Sequence, residues 1–201
     1  FCAAQLAPVR QELDLGRGFA LVDHFDEARF GRSGAVTAYW AVGQLLGRPF
    51  EQDVQGTLLY DVRDTGRDVA EGARFSVTNA ESSFHTDGAF NPQAPDFVGL
   101  LCLQTAKSGG QSQLISAVTL HNELLQLHPG VLETLYESFY IDRRGQFREG
   151  EQPVLETPIF RWDGQALIFK YLYYYIQVGH QSINRPLTPE QEKALDVLES
   201  L

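Results

Sequence analysis

Methionine is absent from the 201 residues, and cysteine occurs only twice, at Cys2 and Cys102. Two thiols make no disulfide framework, and Cys102, inside an apolar run, reads as a buried free thiol. The chain opens on Phe1 and halts at Leu201 inside an amphipathic helical pattern, so a piece of a longer polypeptide is expected. Cations are scarce: 16 Lys and Arg against 26 Asp and Glu leave a net charge of −10. Without a basic cluster, a nucleic-acid partner is excluded, because phosphate binding depends on cations that displace counterions. The longest apolar stretch, Phe97 to Leu103, falls far short of the roughly 20 residues that cross a bilayer. Nothing at the start reads as a secretory leader, and a cytoplasmic location without membrane contact is expected. No linker or low-complexity stretch interrupts the chain, and 43% hydrophobic residues suffice for a core, so one domain over 1–201 is expected. A homo-oligomer is compatible with this composition, which does not select an oligomeric state.

What is present concentrates at mid-chain, in Phe84-His85-Thr86-Asp87. In an extended strand residues i and i+2 share a side, so His85 and Asp87 can reach one ion while Thr86 turns away. An imidazole and a carboxylate are two members of the 2-His-1-carboxylate triad, which leaves coordination positions of Fe(II) open for a chelating cosubstrate and O2. The third ligand must come from elsewhere. A bare His-x-Asp recurs by chance, so its neighbours matter. They are Ser83 to Phe90, then Pro95-Asp96-Phe97-Val98-Gly99-Leu100-Leu101-Cys102-Leu103-Gln104, then Gly109-Gly110-Gln111-Ser112.

That succession resembles the taurine/2,4-D dioxygenase (TauD/TfdA) family of Fe(II)/2-oxoglutarate oxygenases, from about Gly16 to the C-terminus and most specifically from Phe84 to Ser116. The resemblance implies that His85 and Asp87 bind iron and that Ser112, in place of the usual Thr, contacts 2-oxoglutarate. It implies Fe(II), 2-oxoglutarate and O2 as cofactor and cosubstrates, with succinate and CO2 as coproducts of substrate oxidation, most often hydroxylation. The family's second metal His and its cosubstrate-binding Arg lie on late strands, expected beyond Leu201. Relatives that halogenate carry a small residue in place of the carboxylate, so Asp87 favours hydroxylation, desaturation or cyclisation. Asn79 and Glu81 occupy the segment that lines the substrate cavity in relatives, although as turn residues they are equally explained without function. The implied partner is a small molecule, amino-acid-like or carboxylate-bearing. Two other readings remain: a non-catalytic jelly-roll binding protein, and a cupin-like metal enzyme that does not use 2-oxoglutarate.

The other histidines, His24, His121, His128 and His180, read as ordinary surface or core residues. His180, placed in a loop after the tyrosine run, is the best substitute ligand among them. Arg143 and Arg144 could offer a carboxylate fork, but neighbours on a strand point to opposite faces. Helices are predicted at Pro8 to Leu13, Ala35 to Leu46, Val118 to Leu127 and Val131 to Glu137. Strands are predicted at Phe19 to Val22, Thr57 to Val62, Arg74 to Thr78, Phe97 to Thr105, Phe139 to Arg143, Leu155 to Trp162 and Ala166 to Gln177. The last of these includes Tyr171, Tyr173, Tyr174 and Tyr175, read as strand because aromatics favour strands. Thr188-Pro189-Glu190-Gln191 is a capping-box start for a final helix. The resemblance turns this inventory into an α+β, mainly β, double-stranded β-helix (jelly roll, cupin-like core) with flanking helices.

Overall fold

The computed structural model describes residues 2–23 and 27–201. They divide into two compact units, one formed by the chain up to Tyr60 with Asp96–Gly110, the other by Asp61–Pro95 with Gln111–Leu201.

The first unit is helical. Helix α1 (Cys2–Leu15) carries Pro8 inside it, and α2 (Glu27–Leu46) is broken at Gly31, whose φ of 66° and ψ of 173° suit only glycine. The segment Asp96–Gly110 has no regular structure and is tied to the helices by polar contacts. The Tyr39 hydroxyl donates to the Gly99 carbonyl at 2.6 Å, and the Arg10 guanidinium lies 5.0 Å over the Phe97 ring. The strand predicted at Phe97 to Thr105 is therefore not formed, nor are those at Phe19 to Val22 and Thr57 to Val62. A strand holds only when a neighbour completes its hydrogen-bond ladder, and these runs find none among the described residues. Several of their apolar side chains stay in solvent, Leu21 at 91% and Leu100 at 77% exposure, while Phe97, Leu101 and Leu103 are half-buried. Cys102 is likewise an exposed free thiol, not a buried one.

The second unit holds the main core. Helices α3 (Ala117–Leu127) and α4 (Pro129–Leu135) precede strands β1 (Ser138–Asp142), β2 (Val154–Pro158), β3 (Phe160–Trp162) and β4 (Leu167–Phe169), followed by α5 (Tyr173–Ser182) and α6 (Pro189–Ser200). The strands form two antiparallel pairs: β1 with β2, Ser138 opposite Pro158, and β3 with β4, Phe160 opposite Phe169. Between them Ile159 accepts from the Lys170 N–H at 2.9 Å and donates to the Leu135 carbonyl at 3.1 Å. The predicted strand at Arg74 to Thr78 is instead a 3-10 turn over Phe75–Val77.

The strand predicted at Ala166 to Gln177 stops at Phe169, and from Tyr173 the chain is helical. Tyr175, Ile176, Gly179 and His180 are the buried residues of α5, spaced as one helical stripe. That stripe lies directly on β1, and Gly179 is what permits it: a Cβ there would stand 2.2 Å from the Tyr140 carbonyl oxygen and 2.7 Å from the Asp142 nitrogen. Helix α6 begins with the capping box read from the sequence, Thr188 accepting from the Gln191 backbone and the Gln191 side chain accepting from the Thr188 backbone. Its buried Ala194, Leu195 and Leu198 join Leu124, Leu135, Phe139, Ile141, Phe160 and Ile176 in one core. No helix among the described residues is long and apolar enough to cross a membrane.

Candidate metal centre

His85 forms an isolated antiparallel bridge with Leu172, just before α5. The next residue locks the pairing. The Thr86 N–H donates to the Tyr171 carbonyl, and the Tyr171 N–H donates to the Thr86 hydroxyl, both at 2.9 Å. Thr86 is thus turned towards the backbone of 171, away from the side that His85 and Asp87 share. Beyond Asp87, Gly88 adopts φ +67°, and Ala89 and Phe90 enter the core, 1% and 9% exposed. Phe90 packs at 6.1 Å from the Tyr175 ring. Lys170, 5% exposed, reaches under the turn and donates to the carbonyls of Asn91 at 2.6 Å and Pro92 at 2.8 Å. Burial, and secondarily Arg161, lower its pKa from the usual lysine value.

On the solvent side, His85 Nε2 stands 3.8 Å from Asp87 Oδ1, with the two side chains 33% and 56% exposed. Two cis donors each about 2.1 Å from one divalent ion stand about 3.0 Å apart, so the pair shares an ion once the side chains close by roughly 1 Å or somewhat less, a rotamer adjustment open to two partly exposed groups. His85 Nδ1 is 2.8 Å from the Ser83 carbonyl oxygen, which can only accept, so Nδ1 carries the proton; Ser82 Oγ lies 3.1 Å away. With Nδ1 held by the Ser83 carbonyl, Nε2 is the nitrogen that faces Asp87, the outer-shell arrangement that metal-ligating histidines use. Contact with Asp87 first, then the Ser83 carbonyl, raise the imidazole pKa above its ordinary value, against burial, which lowers it. A cation bound at Nε2 would take the place of the proton that Asp87 favours there, leaving the Nδ1 proton on the Ser83 carbonyl. The donor set therefore fits a divalent ion at two positions, and no third His, Cys, Asp or Glu completes a cluster among the described residues.

The remaining sequence candidates are not brought to this pair by any described hydrogen bond. Ser112 is exposed on an irregular stretch before α3, and Asn79 and Glu81 are exposed in the irregular segment leading to His85. His180 is a buried helix residue, not a loop residue. Its Nε2 accepts from the Tyr140 N–H at 3.1 Å and its Nδ1 donates to the Arg185 carbonyl at 2.8 Å. Both ring nitrogens are thus used. His121 pairs with the Tyr136 hydroxyl at 2.9 Å, His128 joins α3 to α4, and His24 lies outside the described residues. The arginines are committed as well. Arg143 pairs with Glu151 at 2.9 Å, while Arg144 donates to the Val69 and Ala73 carbonyls and covers the Tyr174 and Tyr175 rings. Sequence reasoning missed Lys170 and the Ser82-Ser83 pair. A lysine closing an apolar strand was the available signal for the first; nothing short of coordinates marked the second.

An imidazole and a carboxylate converging on the open side of a short antiparallel bridge define a candidate mononuclear metal site. The profile of the taurine catabolism dioxygenase TauD, TfdA family matches residues 2–201, and the chain belongs to that family. It is similar to FR-33289 synthase of Streptomyces rubellomurinus, 30% identical over 195 residues that cover 95% of this chain and 56% of that protein. It is also similar to the taurine hydroxylase-like protein SAT17 of Stachybotrys chartarum, 25% identical over 146 residues, 69% of this chain and 36% of that protein. The chain thus spans about half the length, or less, of these curated relatives. The family's fold is cupin-like, in keeping with helices around small antiparallel sheets.

Proposed function

We propose that this protein is a non-haem Fe(II)/2-oxoglutarate dioxygenase that hydroxylates a small molecule. Family membership supports the reaction type, and the observation that carries the site is the 3.8 Å approach of His85 Nε2 to Asp87 Oδ1, with Nδ1 held by the Ser83 carbonyl. In this reading both units belong to one oxygenase domain, and β1 to β4 are strands of a double-stranded β-helix.

His85 and Asp87 would hold Fe(II), which when bound supplies adjacent open positions for 2-oxoglutarate and O2, coupling decarboxylation of the cosubstrate to oxidation of a C–H bond. The chain's own contribution is orientation. Ser83 keeps the imidazole in the tautomer whose Nε2 is free, and Thr86 fixes the strand so that both ligands face one way. The Ser112 hydroxyl is assigned to 2-oxoglutarate, and Asn79 and Glu81 to the substrate cavity. A carboxylate at 87 occupies the position that a halogenating enzyme would leave for chloride. One relative carries the name of a taurine hydroxylase-like protein, and taurine is a small amino sulfonate, so a small substrate bearing an amine and an acid group is the class to test first. A cytoplasmic setting suits such chemistry.

The test is succinate formation from 2-oxoglutarate with Fe(II) and O2 across a panel of amino and organic acids, using the full natural polypeptide. One substrate should stimulate turnover, and His85→Ala and Asp87→Ala should each abolish it while retaining the circular dichroism of the parent. Stimulated turnover that survives both substitutions would sink the assignment.

A further inference from the structure

We infer that Lys170 is a positioning residue for the metal pair, clamping the turn that carries Asp87 from its far end. The inference rests on the reading of His85 and Asp87 as metal ligands. Its ground is the way three consecutive residues, Lys170, Tyr171 and Leu172, hold the segment 85–92 on both sides of Asp87. On the near side, Leu172 bridges His85 and Tyr171 exchanges two hydrogen bonds with Thr86. On the far side, the Lys170 ammonium joins the Asn91 and Pro92 carbonyl oxygens. Between these anchors lie residues 87–90, with Ala89 and Phe90 buried and the Ala89 and Asn91 N–H groups donating to the Thr86 and Gly88 carbonyls, and the Asp87 carboxylate itself touches only the His85 ring among the charged groups described.

The two anchors do different work. The near anchor fixes His85, whose ring is further held by Ser83. Among the described residues no hydrogen bond holds the Asp87 carboxylate, so its distance from His85 depends on the course of the turn through Gly88, at φ +67°. That course is tight: a Cβ on Gly88 would meet the Pro95 Cδ at 3.2 Å and the Asn91 Nδ2 at 3.4 Å. The Lys170 ammonium ties two successive carbonyls at the end of the turn, one on half-buried Asn91 and one on exposed Pro92, and removing its donors takes a charged hydrogen-bond partner from both. Lys170 forms no ion pair with Asp87 among the described residues, its ammonium going to the Asn91 and Pro92 carbonyls. It therefore acts through the carboxylate's position.

The measurement is Co(II) affinity and the Co(II) visible spectrum of the full natural polypeptide and its variants, recorded below their melting temperatures. Lys170→Met keeps the length and removes the donors. Acting at one remove from the ligands, it should weaken Co(II) binding by about tenfold, the lower end of the loss on removing a group bonded directly to a ligand, and alter the ligand-field bands. Gln191→Ala, which removes a buried hydrogen bond to the Ser138 carbonyl far along the chain, should lower the melting temperature and leave both metal readouts unmoved. Lys170→Gln, which keeps an N–H donor, should fall between parent and Lys170→Met. Parent-like affinity and spectrum in the folded Lys170 variants would overturn the inference, as would failure of both to fold, which would make Lys170 a purely structural residue. Absence of one-to-one Co(II) binding by the parent, or binding that survives His85→Ala, would instead remove the metal site itself, and the inference with it.

Discussion

At the scale of single residues, what could be read from the sequence was whatever depended on near neighbours. The sequence suggested an extended strand that puts His85 and Asp87 on one side; the structure bridges His85 alone to Leu172 and has Asp87 already in the turn 87–90, with the two side chains still 3.8 Å apart. Lys170 was not legible, because its two acceptors lie 79 and 78 residues away. His180 was misplaced in a loop for a related reason: its partners, the Tyr140 N–H and the Arg185 carbonyl, are known only once α5 lies on β1. Its environment has a measurable consequence. Burial lowers the His180 pKa from 6.5, against the Arg185 carbonyl, which raises it. The unfolded chain therefore binds a proton there more readily than the folded one, and stability drains away as pH falls below 6.5 towards the lowered folded value. His85, raised, contributes with the opposite sign, so the comparison must be made by difference. Melting temperatures at about pH 7.5 and about pH 5.5, either side of the ordinary histidine range, should fall on acidification in the parent and fall less in His180→Gln. An equal fall in both would remove His180 as the cause.

At the scale of elements, α6 and α5 are opposites. Helix α6 announces itself locally, through Thr188, Pro189 and Gln191, and each of these does in the structure what its type suggests. Helix α5 was hidden by its three tyrosines and by Tyr171 just before it, since aromatic residues lean towards strands. The better signal was the spacing of Tyr175, Ile176, Gly179 and His180, whose burial follows a helical period. Gly179→Ala tests whether the packing of α5 on β1 is as close as the added Cβ's 2.2 Å approach to the Tyr140 oxygen implies. Since backbone and not a flexible side chain is in the way, the helix must move, and a loss of about 1–3 kcal/mol in urea unfolding is expected. Exposed helix glycines gain from the same change, because alanine favours helix, so a neutral or stabilising result would contradict the packing. The strand expected at Phe97 to Thr105 failed for the reason that hides every non-local pairing: apolar composition proposes a strand, and only a partner makes one.

For the whole molecule, family membership was readable from a short stretch of motif, whereas the distribution of the core was not. Composition promised enough apolar side chains; it could not say that the large cluster from Ala89 to Leu198 would gather in the second unit while Leu21, Leu100 and Leu114 remained in solvent. The contrast predicts that Leu124→Ala, at 0% exposure, costs about 2–5 kcal/mol. Leu100→Ala should stay within about 0.5 kcal/mol. Comparable losses at both positions, measured by urea unfolding, would mean that Leu100 is covered in solution. The accessible thiol of Cys102 belongs to the first unit and the His85–Asp87 pair to the second. With Cys2 replaced by serine, a nitroxide on that sulfur and a paramagnetic ion held at the pair become two electron spins on one chain, and their dipolar coupling is a molecular ruler.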